Sequence, residues 1–277
     1  MPSLPEAREF HVTFLTADTE PRIVSCGGWT GERTTGGQPD YHKKGRDCLT
    51  LKDGSWQRGE VEYLRVPRSF PTVVTMSVGV YMLAGDMPVE AWGTSDFLPA
   101  QSSHWIKGAD VPISVRKGCG AQISTESFLI VSNNNVREFD TSVMEDPTSE
   151  TGWQPEETWP QLLKGGGQQP GCATIGSLFV VAGGNDNGNS PRMEIINLKT
   201  RTLVQGADMI RPKMFFHIKT LGTEVFALGG VYSGWTYLNM VEKWSEKTST
   251  WQQDGNLELK RGFAFGAVVV PTEMVCP

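Results

Sequence analysis

One unit of sequence recurs five times along the chain, and this repeat restricts the fold more than any other feature does. Each unit contains an apolar strand that ends in a pair of small residues, then a polar loop and a second short strand. The second residues of these pairs lie 46 to 57 residues apart and are Gly28, Gly85, Asn133, Gly184 and Gly230. Self-similarity at such a period is typical of folds in which every repeat forms one supersecondary unit.

A second feature of the unit is a tryptophan-type position seven residues after an apolar or aromatic residue. It occurs in four of the five units, as Leu49 and Trp56, Leu98 and Trp105, Ile196 and Leu203, and Trp244 and Trp251. In the third unit the interval grows to fourteen residues, from Phe139 to Trp153, and Ser132-Asn133 replaces the Gly pair. Gly pairs allow positive φ and close approach of the backbone, and Trp provides a large apolar surface where repeats stack.

In these features the sequence resembles the kelch-repeat proteins. Residues 224–261 match the family motif best, with Trp244 in its tyrosine position. The resemblance covers almost the whole chain and implies a β-propeller in which each repeat forms a four-stranded blade. No stretch has a long helical period, which agrees with an all-β fold. Two separate β-sandwiches are the alternative, but the repeat continues through the middle of the chain without a linker.

We therefore expect an all-β, kelch-type β-propeller as a single domain over residues 1–277, with six blades of which the last is incomplete. The five clear blades would lie near residues 11–57, 68–107, 116–155, 168–206 and 213–253, and the partial sixth at 261–277. Only residues 1–10 remain to complete the last blade, so a truncated chain is the favoured interpretation. An open blade would leave an unpaired edge that invites pairing with another chain.

Charge and hydropathy exclude several kinds of partner. The net charge is -6, with 25 basic and 31 acidic residues, which argues against unspecific binding to nucleic acid. No apolar stretch approaches the ~20 residues of a membrane span. The N-terminus shows no secretory signal, which slightly favours a cytoplasmic location. We expect neither nucleic acid nor a membrane as a partner.

The five cysteines are Cys26, Cys48, Cys119, Cys172 and Cys276. No CxxC spacing occurs, so a structural zinc site is not expected, and buried, reduced cysteines are the favoured interpretation. Alternatively, neighbouring strands of one blade place Cys26 and Cys48 within disulfide range, and Cys119 and Cys172 fall at similar points of two innermost strands. Similar cysteines occur in secreted invertebrate kelch proteins, and such a pairing would indicate an extracellular protein.

Sequence motifs for catalysis or metal binding are missing. The four histidines form no HExxH motif, and no GxSxG elbow occurs. The tyrosines do not match the ligand pattern of kelch-like copper radical oxidases, and Asp53-Gly54-Ser55-Trp56 only partly resembles a sialidase box. We expect a protein that is not an enzyme and that needs no cofactor or metal.

Candidate binding residues lie in two loops and at the starts of the innermost strands. The loop residues are Arg33, Tyr41, Arg46, Tyr232, Trp235 and Tyr237. The residues at strand starts are Arg68, Lys117, Lys213 and Arg261. Aromatic residues and Arg are common interface anchors, and a ring of cations at one channel mouth would receive acidic side chains of a partner. The alternative is that these cations pair with acidic residues of adjacent blades.

The leading hypothesis is a non-enzymatic scaffold that recognises a partner protein through loops on one propeller face. The alternatives are a secreted propeller that binds carbohydrate or matrix and an oxidase-type propeller enzyme. Many kelch proteins are substrate receptors of ubiquitin ligases and carry BTB and BACK domains ahead of the propeller. A link to ubiquitin ligases would therefore require an N-terminal domain that is missing from this sequence.

Overall fold

The computed structural model describes residues 4–6, 8–29, 45–85, 91–113, 117–144, 146, 149–163, 169–185, 188–233, 236–258 and 267–270. These residues form five antiparallel sheets that follow one another along the chain, plus one small hairpin. Two short 3-10 helices, Glu150–Gly152 and Glu156–Thr158, follow the third sheet. Among the described residues, no helix has the length and apolar character required to cross a membrane.

The first two sheets each contain four strands in sequence order. The strands of the first sheet are β1 (Val12–Leu15), β2 (Ile23–Cys26), β3 (Cys48–Lys52) and β4 (Ser55–Gln57). The strands of the second sheet are β5 (Thr72–Met76), β6 (Gly79–Leu83), β7 (Ser95–Pro99) and β8 (Ile106–Lys107).

The third sheet has three strands, and the fourth and fifth again have four. The third contains β9 (Cys119–Gln122), β10 (Ser127–Ser132) and β11 (Asn135–Asp140). The fourth contains β12 (Gly171–Ile175), β13 (Leu178–Ala182), β14 (Met193–Asn197) and β15 (Thr202–Gln205). The fifth contains β16 (His217–Leu221), β17 (Glu224–Leu228), β20 (Met240–Ser245) and β21 (Thr250–Asn256). The small hairpin of β18 (Val231–Tyr232) and β19 (Thr236–Tyr237) lies between β17 and β20 in the sequence.

The sheets are arranged as the blades of a propeller. The first strand of each sheet lies innermost, and β1, β5, β9, β12 and β16 neighbour one another in this order around a central channel. The predicted all-β propeller is thus confirmed, with five blades in the described part of the chain. Of the predicted sixth blade, only 267–270 are described; they form no strand, and Val268 and Val269 line the channel. The assignment of residues 1–277 to one domain stays a prediction.

In blades 2, 4 and 5 the residue at the tryptophan-type position packs against the blade that precedes it. Trp105 of blade 2 meets Phe14 of blade 1 edge-on, with 6.1 Å between ring centres. Trp251 of blade 5 donates from its indole nitrogen to the sulfur of Met193 in blade 4, at 3.2 Å. Leu203 of blade 4 packs on the apolar cluster that blade 3 shares with it. The residue at this repeated position is therefore a contact that joins successive blades.

The third blade departs from the repeat, as its sequence indicates. Its long interval does not form a fourth strand among the described residues, and its only β-pairing there is an isolated bridge between Trp153 and Phe139. The chain then follows the outer edge of β11, where the Gln154 amide donates to Glu138 at 3.0 Å and the Leu162 amide donates to Asn134 at 2.9 Å. These hydrogen bonds cover an edge that would otherwise remain open.

Two disulfides link neighbouring strands. Cys26 and Cys48 face each other on β2 and β3 of blade 1, with 4.1 Å between their Cα atoms. Cys119 and Cys172 join β9 of blade 3 to β12 of blade 4, with 5.5 Å between their Cα atoms. The expectation of five reduced cysteines is therefore wrong for these four, because adjacent strands and adjacent blades bring them together. Cys276 lies outside the described residues.

Candidate binding face at the channel mouth

Five equivalent residues, one in each blade, precede the innermost strands with left-handed backbone. They are Phe10, Phe70, Lys117, Gln169 and Phe215, with φ between 54° and 66°. A non-glycine residue rarely adopts this conformation, and a bulky residue does so even less often. Its recurrence in all five blades shows that the turn is part of the repeat. The five side chains line one end of the channel, which we call the channel mouth.

Three phenylalanine rings cluster at the channel mouth. Phe10 and Phe70 are stacked with 3.9 Å between ring centres, and Phe215 lies 5.3 Å from Phe70 and 6.1 Å from Phe10. All three side chains are partly exposed. Together with Pro71 and Pro170 they line a cavity of about 110 Å³. The centre of this face is therefore mainly apolar and accessible.

Polar groups surround the apolar centre. The Lys117 ammonium lies 5.3 Å from the centre of the Phe70 ring, in cation–π geometry. The buried Gln169 side chain lines the cavity, and its Oε1 has no hydrogen-bond donor among the described residues. Burial and, to a smaller extent, the charge of Arg8 lower the pKa of His11 to about 4. His11 is therefore neutral at neutral pH.

Two of the predicted cations lie beneath the mouth instead of at its surface. The Arg68 guanidinium is fully buried and donates to the Asp96 carboxylate at 2.9 Å and to the Thr94 carbonyl at 3.0 Å. Lys213 forms a fully buried ion pair with Glu242 at 2.7 Å. Burial lowers the pKa of Lys213, and Glu242 offsets part of that shift. In both blades the acidic partner belongs to the third strand of the same blade.

A third buried cation occurs in blade 1 and was not predicted from the sequence. Arg8 is buried and donates from one guanidinium nitrogen to the carbonyls of Gly27 and Asp47, each at 3.0 Å. Its Nη2 also lies 3.6 Å from the Asp47 carboxylate. Arg8 precedes Phe10 by two residues, just as Arg68 precedes Phe70.

These contacts correct the expected ring of four cations that would receive acidic side chains. Arg68 and Lys213 are buried within their own blades and do not reach a partner, nor do they pair with adjacent blades as the alternative proposed. Lys117 occupies the left-handed position and stays at the mouth. Arg261 lies outside the described residues. The described mouth thus presents one cation beside three aromatic rings.

The predicted loop residues that the structure describes lie in segments on the same side of the propeller as the channel mouth. The backbone of Val231, in the β18–β19 hairpin, exchanges hydrogen bonds with Met214, directly before Phe215. This hairpin carries the partly buried Tyr232 and the exposed Tyr237. In blade 1, the exposed Arg46 donates from Nε to the Leu64 carbonyl at 2.5 Å. Arg33, Tyr41 and Trp235 lie outside the described residues.

The three phenylalanines of the mouth are the candidate residues that sequence reasoning missed. A signal for them exists, because each follows a basic residue by two positions, in Arg8-x-Phe10, Arg68-x-Phe70 and Lys213-x-Phe215. The basic residue is buried and fixes the start of the innermost strand, and the aromatic residue takes the left-handed position above it. For metal binding, the described residues contain no group of three or more His, Cys, Asp or Glu side chains that could hold an ion.

Comparison with known families matches residues 219–257 to the Kelch motif. The matched segment covers most of blade 5, from within β16 to just beyond β21. A search of curated proteins gives no match. The matched blade shares its four-strand order with blades 1, 2 and 4 and its left-handed turn with all the other described blades. Propellers with this motif commonly act as protein-interaction scaffolds. The described part of the chain is therefore a β-propeller of five blades that carries a Kelch motif.

Proposed function

We propose that the chain is a non-enzymatic scaffold that binds a partner protein through the face at the channel mouth. The observation that carries this proposal is the cluster of Phe10, Phe70 and Phe215, which is apolar, partly exposed and located at the centre of one face. Exposed clusters of large apolar side chains in soluble proteins mark interaction sites, and aromatic residues dominate binding energies at interfaces.

The surroundings of the cluster support a protein as the ligand. Lys117 provides a positive charge at the rim. The β18–β19 hairpin carries Tyr232 and Tyr237 and pairs through Val231 with Met214, the residue before Phe215. An apolar centre with a polar rim is the usual anatomy of a protein interface. The rigid blades hold these side chains in place, so little ordering is required when a partner binds.

The test is capture of a partner from the native tissue by the immobilised chain, followed by measurement of its affinity. Phe70→Asn and Phe215→Asn remove the rings but keep a residue that tolerates left-handed backbone. We expect each variant to weaken binding by about tenfold or more, as is usual for an aromatic hot spot. Leu221→Asn is the matched control, because Leu221 is exposed at the opposite end of β16.

Three results would contradict the proposal. Unchanged affinity in both mouth variants would place the interface elsewhere. Binding to a glycan array without any captured protein would favour a carbohydrate-binding propeller. Stoichiometric copper in the purified protein would favour an oxidase-type enzyme.

A further inference from the structure

The two disulfides join different kinds of strand pair. Cys26 and Cys48 lie on β2 and β3, which the hydrogen bonds of one sheet already hold together, and 0% and 3% of their surfaces are exposed. Cys119 and Cys172 instead join β9 to β12, which belong to two different sheets. Cys119 is partly exposed, and Cys172 lines the channel. Of the two, the second disulfide is therefore the link between blades and the less buried one.

The Cys119–Cys172 disulfide lies close to the channel mouth. Cys119 follows Lys117 by two residues, and Cys172 follows Gln169 by three. The Gln169 amide donates to the Lys117 carbonyl at 2.7 Å, so the left-handed turns of blades 3 and 4 are bonded to each other. The disulfide and this hydrogen bond together fix the spacing of two of the five turns at the mouth.

The equivalent turns of blades 1 and 2 are held in a different way. The Phe70 amide donates to the Phe10 carbonyl at 3.0 Å, which repeats the hydrogen bond between Gln169 and Lys117. The rings of Phe10 and Phe70 stack on each other, whereas Lys117 and Gln169 carry no rings. The disulfide thus fixes the turns of blades 3 and 4 in the place where ring stacking supports the turns of blades 1 and 2.

Loss of the disulfide would leave blades 3 and 4 packed together. Their common apolar cluster includes Leu129, Val131 and Val181, none of which has any exposed surface. The segments between the disulfide and the two turns are less restricted, because Gly118 and Gly171 directly precede the cysteines and glycine gives the backbone more freedom. Reduction should therefore release the turns at the mouth without opening the interface between the blades.

We propose that the Cys119–Cys172 disulfide is a redox switch of the face at the channel mouth. A dithiol reductant opens it while Cys26–Cys48 stays oxidised, and the opened form binds the partner protein more weakly. A thiolate of the reductant attacks one sulfur, forms a mixed disulfide and releases the other sulfur as a thiolate. The second thiol of the reductant then resolves the mixed disulfide, so the reductant becomes a disulfide and both cysteines become thiols.

The weaker binding has a physical reason in the released turns. Turns that are free in the reduced chain must be ordered again when a partner binds, and this ordering reduces the affinity. The effect on affinity rests on the proposed function, whereas the selective reduction and the release of the turns do not. The experiments below measure them separately.

The first experiment follows reduction of the folded full chain by dithiothreitol, with alkylation and peptide mapping at successive times. Thiol–disulfide exchange requires access to a sulfur, so we expect Cys119 and Cys172 to be alkylated about tenfold or more faster than Cys26 and Cys48. Reduction of Cys26–Cys48 before or together with Cys119–Cys172 would overturn the proposal.

Hydrogen exchange then tests the mouth without a partner. In the selectively reduced chain, the Gln169 amide should exchange about tenfold or more faster than in the oxidised chain, because its turn is released. The Phe70 amide is the internal control and should exchange equally in both forms. The double variant with Cys119→Ala and Cys172→Ala should show the fast Gln169 exchange without reductant. Equal Gln169 exchange in the oxidised and reduced wild type would overturn the proposal.

Affinity for the captured partner completes the test. Selective reduction should weaken binding by about tenfold. Unchanged affinity in the reduced chain, with binding still weakened by Phe70→Asn, would overturn the switch while the proposed function stands. Unchanged affinity in both Phe70→Asn and Phe215→Asn would instead refute the proposed function, whereas faster Gln169 exchange after reduction would still support the release of the turns.

Discussion

Trp251 offers the most direct test of how the blades are held together. Its side chain is 7% exposed and packs in the cluster shared by blades 4 and 5. An indole buries roughly 150–250 Å², which at about 25 cal/mol per Å² corresponds to ~4–6 kcal/mol. Measured Trp→Ala substitutions in cores cost about 3–5 kcal/mol. We therefore expect Trp251→Ala to lower the free energy of unfolding by about 3–5 kcal/mol.

The assay is equilibrium unfolding in urea, followed by circular dichroism so that the loss of one fluorophore does not matter. Trp251→Phe keeps most of the apolar contact but loses the N–H group that donates to Met193, so it should lie between the wild type and Trp251→Ala. Tyr63→Ala is the exposed control, since Tyr63 is 57% exposed and its loss should cost under about 0.5 kcal/mol. A loss below about 1 kcal/mol for Trp251→Ala would refute the blade-interface reasoning.

Three further perturbations test the turns and the buried charges. Gly183 and Gly176 both have positive φ, but a Cβ atom at Gly183 would meet side-chain and backbone atoms at 2.6–2.7 Å, whereas one at Gly176 would meet nothing within 4 Å. Gly183→Ala should therefore lower the free energy of unfolding more than Gly176→Ala does in the same urea assay. The pKa of His11 is about 4 in the folded chain and 6.5 in the unfolded chain. Between these pH values the unfolded chain binds more protons, so the free energy of unfolding falls as the pH falls, by up to about 3 kcal/mol. His11→Gln should remove this pH dependence between pH 6.5 and 4.5. Lys213→Met should lower the free energy of unfolding by about 3–5 kcal/mol, because it leaves the buried Glu242 carboxylate without its counter-charge. The double variant with Lys213→Met and Glu242→Leu should recover most of that loss, which a double-mutant cycle measures.

The repeat made the propeller predictable, because each blade carries the same local signals. Gly pairs, hairpin turns and the aromatic residue seven positions later all depend on short stretches of sequence. Blade 3 could be recognised as irregular for the same reason, from Ser132-Asn133 and its long interval. The route of the chain along β11 could not be foreseen, since it depends on hydrogen bonds that only the folded edge presents.

The residues at the channel mouth were harder to predict because burial decides which residues are accessible. From the sequence, Arg68 and Lys213 were predicted to bind an acidic partner. In the structure each is buried and forms an ion pair with a carboxylate of its own blade. Cys119 and Cys172 are 53 residues apart in sequence, so their pairing likewise depends on contacts between blades. Phe70 and its equivalents required the left-handed turn, which no single-residue propensity for phenylalanine would indicate.

The direction of packing between blades has a consequence for how the chain assembles. Trp105, Leu203 and Trp251 each contact a blade that was synthesised earlier. A chain that emerges from its N-terminus therefore finds a finished docking surface for every new blade, and the cores form one after another without waiting for distant residues. Blade 1 is the exception, since no described blade precedes it. Vectorial synthesis should thus favour ordered growth of this propeller, one blade after another.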